Sequence, residues 1–135
     1  MSVPAGLGAH GFAQIDRAGA VGDLSVVDLN WPFAGFEGTL DDVTAALERN
    51  LLWAVAITPE IYNRDYIKGS ITNPDPAVRS QALKLLNEAT ELAKELECDY
   101  VKLWFGQDGW DYPFQVDYHD IWKLAVDGLR ELVRA

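Results

Sequence analysis

The segment Trp104–Gln115, with the sequence WFGQDGWDYPFQ, has the side chains best suited to chemistry. Aromatic residues alternate there with Gln and Asp, directly after a short apolar run typical of a strand. The C–H faces of a sugar stack on aromatic rings, while its hydroxyl groups need fixed hydrogen-bond donors and acceptors. The segment therefore predicts a sugar-binding loop. In the alternative interpretation, Trp104 belongs to the core and the other aromatic residues cap a hydrophobic end.

Two earlier segments, Asn30–Phe33 (NWPF) and Thr58–Asn63 (TPEIYN), have the same mixed character and also follow predicted strands. They add Trp31 and Glu60 to the candidate sugar contacts. Glu60 is the best-placed acid, although an isolated carboxylate at the start of a loop can serve only as a hydrogen-bond acceptor or helix cap. Three such loops on one face strengthen the prediction of a sugar site.

A metal site is a further alternative, since carboxylate and imidazole groups are ligands for divalent metal ions. Glu60, Asp108 and His10 could form one across a dimer.

The elements that must position these loops alternate along the chain. Short apolar runs rich in β-branched or aromatic residues predict three strands: Leu24–Leu29, Leu52–Thr58 and Tyr100–Phe105. Apolar residues at helical spacing predict three helices: Leu40–Arg49, Pro76–Leu96 and Tyr118–Arg134. Their predicted caps are Thr39 with Asp42, Asp75, and Asp117. Strands separated by such helices need crossover connections, so the pattern predicts a parallel α/β fold.

Residues 1–23 fit this alternation less well. Ala9–Gln14 could form another strand, but only about ten residues separate it from Leu24, fewer than a parallel crossover usually takes. We therefore expect an irregular or truncated first βα unit. At the ends of the first two predicted helices, Leu51 and Glu97 stand where glycine in the left-handed conformation is favoured.

Composition excludes several classes of protein. The 135 residues contain 11 Lys and Arg against 21 Asp and Glu, a net charge of −10 that would repel nucleic acid and anionic lipid. A lone cysteine, Cys98, cannot form an internal disulfide. No apolar stretch approaches the ~18 residues of a membrane span, and the N-terminus lacks the pattern of a signal peptide. We expect one cytoplasmic domain over residues 1–135 that binds neither nucleic acid nor membrane.

Several motifs together resemble those of a known family. They are Asp28–Phe33, Thr58–Tyr62, Gly69–Pro76 (GSITNPDP), Leu103–Gly109 and Asp111–Gln115. The chain from about Ile15 onwards resembles the first half of xylose isomerase-like TIM barrels, within the sugar isomerase/epimerase superfamily, and is most similar to the L-rhamnose isomerase and xylose isomerase-like members. Trp104, Gly106 and Gly109 match the tryptophan–glycine pattern that follows the fourth strand there.

The resemblance implies a parallel half-barrel of about four βα units and an ancestry in aldose–ketose interconversion. It implies that Trp104 packs against the sugar, with Gln107 and Asp108 nearby. The family's divalent metal (Mn²⁺, Co²⁺ or Mg²⁺) is held by residues of the other half of the barrel. We therefore expect no metal ligands or identifiable catalytic residues in this chain, and no full isomerase activity from it alone.

A half-barrel would expose two sheet edges and the inner face of its sheet. Pairing with a second copy would cover them, so a homodimer or higher oligomer is expected. The alternative function is that of a non-catalytic half-barrel scaffold, natural or engineered, that self-associates.

Overall fold

A computed structural model of the chain describes residues 11–33, 38–106, 108–112 and 114–134. The helices are α1 (Gly11–Val21), α2 (Leu40–Arg49), α3 (Pro76–Glu95) and α4 (Tyr118–Arg134), with a short 3₁₀ helix at Arg64–Tyr66. The strands are β1 (Val26–Trp31), β2 (Trp53–Pro59) and β3 (Tyr100–Val101). They form a three-stranded sheet in the order β1-β2-β3, and β2 and β3 pair in parallel with Ala56 opposite Tyr100. The predicted α/β class with a parallel sheet is confirmed.

The chain folds as two compact units. The first comprises the residues up to Thr58 together with Leu92–Lys102, and the second comprises Pro59–Glu91 together with the residues from Leu103 onwards. The core of the second unit is a cluster of buried side chains: Ile61, Tyr66, Ile71, Ala82 and Leu86. Buried side chains of the first unit come from its helices and its sheet: Ile15 of α1, Leu29 and Ile57 of the sheet, and Val43 and Leu47 of α2.

The predicted helix starts are confirmed by their caps. Thr39 and Asp42 form a capping box at the start of α2, in which the Thr39 backbone N–H donates to Asp42 Oδ2 at 2.7 Å. Asp75 accepts from the backbone N–H of Ala77 at 2.8 Å, at the start of α3. Asp117 does the same for His119 at 2.8 Å, at the start of α4. Each contact satisfies a backbone donor that the first helical turn leaves without a partner.

The beginning of the described chain differs from the prediction, because residues 11–21 form helix α1 rather than part of a strand. Two glycines in this segment argue against a helix on propensity alone. Gly19 is needed for close packing: a Cβ there would lie 2.4 Å from Asn50 Oδ1. Asp16 adds a polar link, accepting from Arg49 Nη2 at 2.9 Å and Asn50 Nδ2 at 2.8 Å. Tertiary packing against the end of α2 therefore overrides the local preference.

Two further expectations about apolar residues are wrong in part. Strand β3 ends at Val101 instead of continuing to Phe105, because Leu103 packs against the core of the second unit. On α4, the helical spacing of the apolar residues predicts that Trp122 and Val133 are buried, yet they are 72% and 86% exposed. The buried side of this helix is centred on Gly128, where a Cβ would lie 3.1 Å from Ile71.

Leu51 and Glu97 adopt the left-handed conformation, with φ of 55° and 53°. Each follows a helix whose last carbonyls accept two reversed hydrogen bonds, the Schellman arrangement. After α2, the Leu52 N–H donates to Leu47 O at 3.0 Å. After α3, the Cys98 N–H donates to Ala93 O at 2.8 Å. Both helix ends thus use a left-handed residue, although neither residue is glycine.

Candidate functional site

A polar cluster lies on one face of the sheet in the first unit. Thr58 Oγ1 donates to Asp28 Oδ1 at 2.7 Å, and Lys102 Nζ forms an ion pair with Asp28 Oδ2. The backbone N–H of Lys102 also donates to Ile57 O at 2.9 Å, which continues the pairing of β3 beside β2. Asp28 and Lys102 retain 28% and 52% side-chain exposure, so solvent reaches the pair. We call Asp28, Thr58 and Lys102 the Asp28 cluster.

Trp31 ends β1 and is half-buried. Its ring meets that of Phe33 edge to face, with centroids 5.2 Å apart and an interplanar angle of 88°. It lines a cavity of about 440 Å³ together with residues that include Leu40, Val43 and Leu92. Within the described residues its indole nitrogen is buried and has no hydrogen-bond partner. Because side chains alternate along a strand, Trp31 lies on the face opposite Asp28.

The aromatic loop, residues 103–117, carries most of the exposed aromatic surface of the second unit. Trp104 is 62% exposed and contacts Tyr62, with ring centroids 5.1 Å apart and planes tilted by 47°. Gly106 lies beside this pair, since a Cβ there would come within 3.5 Å of both Trp104 and Tyr62. Tyr112 is 68% exposed further along the loop. Trp104 is thus a supported but open ring rather than a core residue.

Asp108 is the residue that ties the aromatic loop to the turn at residues 69–73. Its Oδ1 accepts from the backbone N–H groups of Ser70 at 2.9 Å and Thr72 at 3.4 Å, and from the Thr72 hydroxyl. Its Oδ2 accepts from the Ser70 hydroxyl at 2.8 Å. Four donors from two residues therefore converge on one carboxylate. We call Ser70, Thr72 and Asp108 the carboxylate clamp.

The turn is built so that its donors point to one place. Gly69 has φ of 107°, and a Cβ there would lie 2.5 Å from Thr72 Oγ1, so only glycine fits without strain. Asn73 closes the turn through its side chain, with Nδ2 donating to Gly69 O at 2.7 Å. Ile71, between the two hydroxyl residues, is 1% exposed and belongs to the core cluster. Alternation therefore sends Ile71 into the core and Ser70 and Thr72 towards Asp108.

The remaining predicted residues are placed as follows. Glu60 directly follows β2, is half-buried, and its backbone carbonyl accepts from Asn63 Nδ2 at 3.3 Å. Gln107 and His10 lie outside the described residues.

Asp28, Thr58, Ser70 and Thr72 all stand in the motifs described above, but the sequence did not indicate their contacts, and Lys102 stands in none of those motifs. The sequence does show hydroxyl residues in the GSITN turn and at the end of a strand. These residues indicate a carboxylate-binding role only once the structure shows which carboxylate faces them.

Two side chains among the described residues, Cys98 and Tyr66, have raised pKa values. Burial, reinforced by the nearby charges of Asp99 and Asp28, raises the pKa of the Cys98 thiol. Burial, reinforced by Asp65, raises the pKa of the Tyr66 phenol, although a hydrogen bond to Gln81 opposes this. Both groups are therefore held in their neutral forms at neutral pH.

Among the described residues, no three His, Cys, Asp or Glu side chains are grouped closely enough to hold a metal ion. Asp108, the acid nearest Trp104 in sequence, accepts hydrogen bonds on both oxygens.

Neither protein-family models nor curated proteins gave a match to this chain. In the described part of the chain, every helix is too short or too polar to cross a membrane.

Proposed function

We propose that this chain is a half-barrel related to the N-terminal half of metal-dependent sugar isomerases, and that it binds a small sugar without full aldose–ketose activity of its own. The observation that carries the proposal is the open Trp104 ring, 62% exposed and supported by Tyr62. A rigid, accessible indole next to polar groups is the surface on which the C–H face of a sugar stacks. We also propose a cytoplasmic location, because Cys98 has no disulfide partner in the chain.

In this proposal Trp104 makes the stacking contact, and Gln107 and Glu60 supply hydrogen bonds to hydroxyl groups. Asp108 contributes from within the loop, since its oxygens already accept from Ser70 and Thr72. Trp31, in the first unit, remains a proposed sugar contact in its own right. No catalytic residue is assigned.

The test is titration with monosaccharides of the kinds that the related isomerases use, D-xylose and L-rhamnose, followed by calorimetry or ligand-observed NMR. We expect binding to the unaltered chain and loss of about tenfold in affinity in Trp104→Ala, because stacking on an aromatic ring contributes about 1–1.5 kcal/mol. Trp122→Ala is the matched control, since Trp122 is also exposed but lies on α4. Equal loss in both variants, or absence of binding to the unaltered chain, would contradict the proposal.

A second candidate is a self-associating scaffold without a ligand. One large apolar residue on each strand is exposed: Val26 by 38%, Trp53 by 56% and Tyr100 by 51%. Exposed apolar groups on a sheet favour pairing with another sheet. We propose that this partner is a second copy of the same chain, because a second copy is always available for pairing.

Light scattering distinguishes the two candidates. A dimer whose dissociation constant rises in Trp53→Ser and Tyr100→Thr, with no sugar binding, would favour the scaffold. A monomer at micromolar concentration would contradict it. Repeating the measurement with Mn²⁺ tests whether Glu60, Asp108 and His10 bind metal across a dimer, because that arrangement predicts metal-dependent association.

A further inference from the structure

The turn at residues 69–73 has features that sugar stacking does not explain. Its two hydroxyl side chains, Ser70 and Thr72, are only 0% and 6% exposed, yet both donate to Asp108 rather than to a neighbour in the turn. Their backbone N–H groups converge on the same carboxylate. Buried donors that lost this acceptor would have no water to replace it.

We infer that the Gly69–Asn73 turn is an internal receptor for one carboxylate, and that Asp108 is a positioning residue which fixes the aromatic loop by occupying it. The inference rests on the proposed function only in regarding Trp104 as the sugar-stacking surface. It assigns to the GSITN motif the role of holding the aromatic loop.

The turn is held by contacts that do not involve Asp108. Its donors are therefore positioned independently of the carboxylate that they bind. Gly69 supplies the left-handed backbone, Asn73 Nδ2 closes the turn on Gly69 O, and Ile71 anchors it in the core. Arg79 adds a further restraint, with Nη1 donating to Asn73 O at 2.6 Å. None of these contacts uses the Ser70 and Thr72 hydroxyls, which remain available for the carboxylate.

Before the Trp104 ring, the aromatic loop is held by Leu103, which packs against the core cluster; after the ring, its described backbone restraint is a single turn. Between Trp104 and Asp108 the described backbone contact is the Asp108 N–H donating to Phe105 O at 3.3 Å. This bond makes a turn whose ends are Phe105 and Asp108. Leu103 therefore holds one side of Trp104, and we infer that fixing the Asp108 carboxylate holds the turn on the other side and keeps the ring against Tyr62.

Geometry also says which replacement of Asp108 can keep the clamp. Three of the four donors converge on Oδ1, while Oδ2 accepts from the Ser70 hydroxyl alone. An asparagine can place its oxygen at the position of Oδ1, and the Ser70 hydroxyl can rotate to accept from the NH₂ group. We therefore expect Asp108→Asn to keep most of the clamp and Asp108→Ala to remove it.

The test uses the full chain labelled with fluorotryptophan and fluorine NMR. The resonance of Trp104 is assigned by its absence in Trp104→Phe, and that of Trp122 serves as an internal reference for folding. In Asp108→Ala we expect the Trp104 resonance to shift towards its position in the urea-unfolded chain while the Trp122 resonance stays. Asp108→Asn should leave both resonances near their positions in the unaltered chain.

Sodium formate then provides a rescue, because formate restores the carboxylate that the alanine variant lacks. We expect formate to return the Trp104 resonance in Asp108→Ala, and sodium chloride at the same ionic strength to leave it shifted. An unshifted resonance in Asp108→Ala would overturn the inference. A shift that formate does not reverse would also overturn it, because the hole and not the missing carboxylate would then be the cause.

If Asp108→Ala does not fold, the Trp122 resonance will report it, and the donor variants decide instead. Ser70→Ala and Thr72→Val should each shift the Trp104 resonance in the same direction, without rescue by formate. No shift in either would refute the positioning role. None of these readouts requires sugar, so failure of sugar binding with an intact clamp would disprove the proposed function and leave this inference standing.

Discussion

Asp28 in the first unit and Asp108 in the second are both bound by a threonine hydroxyl, but their other partners differ. Asp28 pairs with Lys102, whose side chain is 52% exposed, whereas Asp108 is surrounded by neutral donors from Ser70 and Thr72. An exposed ion pair is screened by water and salt and contributes little to stability. Buried neutral donors must have an acceptor or leave an unsatisfied group. An aspartate thus forms a solvent-exposed ion pair in the first unit, whereas in the second unit an aspartate connects a loop to a buried turn.

The largest expected loss of stability comes from a change in the backbone of the Gly69–Asn73 turn. Gly69→Ala forces a Cβ to within 2.5 Å of Thr72 Oγ1 at a position with φ of 107°. We expect the free energy of unfolding to fall by about 2–3 kcal/mol in urea denaturation. Gly22→Ala is the matched control in the first unit, because φ there is 91° but no atom lies within 4 Å of the added Cβ. That variant should lose only about 1 kcal/mol; equal losses would mean that the crowding at Gly69 has no energetic consequence.

Removing one partner from each carboxylate gives a direct comparison of the two sites. Thr72→Val removes one of the donors to Asp108 and should lower the free energy of unfolding by about 2 kcal/mol, because Thr72 is only 6% exposed. Lys102→Met removes the partner of Asp28 whose side chain is 52% exposed, and should cost less than about 1 kcal/mol. Urea denaturation of both variants at low and high salt checks this. If Lys102→Met were the more damaging change, the distinction between the sites would be wrong.

A stabilising change is expected in the first unit, where two left-handed positions are not glycine. Leu51 is 86% exposed with φ of 55°, so Leu51→Gly removes backbone strain and loses little packing. We expect a gain of roughly 0.5–1 kcal/mol in the free energy of unfolding, measured by thermal denaturation. Glu97→Gly should behave alike, and Glu48→Gly, inside α2, should destabilise instead. A loss of stability in Leu51→Gly would show that the left-handed conformation costs this chain nothing.

The smallest expected effect is pH-dependent. The backbone N–H of Thr39, and then its hydroxyl, hold the pKa of Asp42 below its ordinary value. A group whose pKa is lowered by folding stabilises the fold above its unfolded value of about 4 and loses that contribution as the pH falls through the folded pKa. Thermal denaturation from about pH 6 down to about pH 3, across the range in which carboxyl groups titrate, should therefore show a shallower decline for Asp42→Asn than for the unaltered chain. Identical slopes would contradict a role for this carboxylate in capping α2.

Local signals were sufficient for three of the four described α-helices, α2, α3 and α4. Helices α2 and α4 have the predicted bounds because a capping residue precedes a repeating apolar pattern in each. Helix α1 was missed because Gly19 lowers the helix propensity of the segment. A glycine is needed at this position because Asn50 packs closely against it. The length of β3 was overestimated because the run Tyr100–Phe105 does not indicate that Leu103 leaves the sheet for the core of the second unit.

The sequence singles out Trp104 as a candidate sugar contact but does not indicate the polar contacts around it. Trp104 stands out by type and neighbours, and the structure finds it open and supported by Tyr62. The contacts of Asp108 with Ser70 and Thr72 join residues 38 and 36 positions apart. Helix and strand periodicities relate residues only a few positions apart, so they cannot predict contacts over such a separation. Which donors face a carboxylate is therefore decided by the tertiary fold.

We propose that a sugar binds to the Trp104 ring and that the carboxylate clamp holds this ring in place. The most direct test is titration of D-xylose and L-rhamnose into Asp108→Ala, with and without sodium formate, beside the unaltered chain. We predict that binding is weakened in the variant and returns when formate is added. Undiminished sugar binding in Asp108→Ala without formate would contradict the claim.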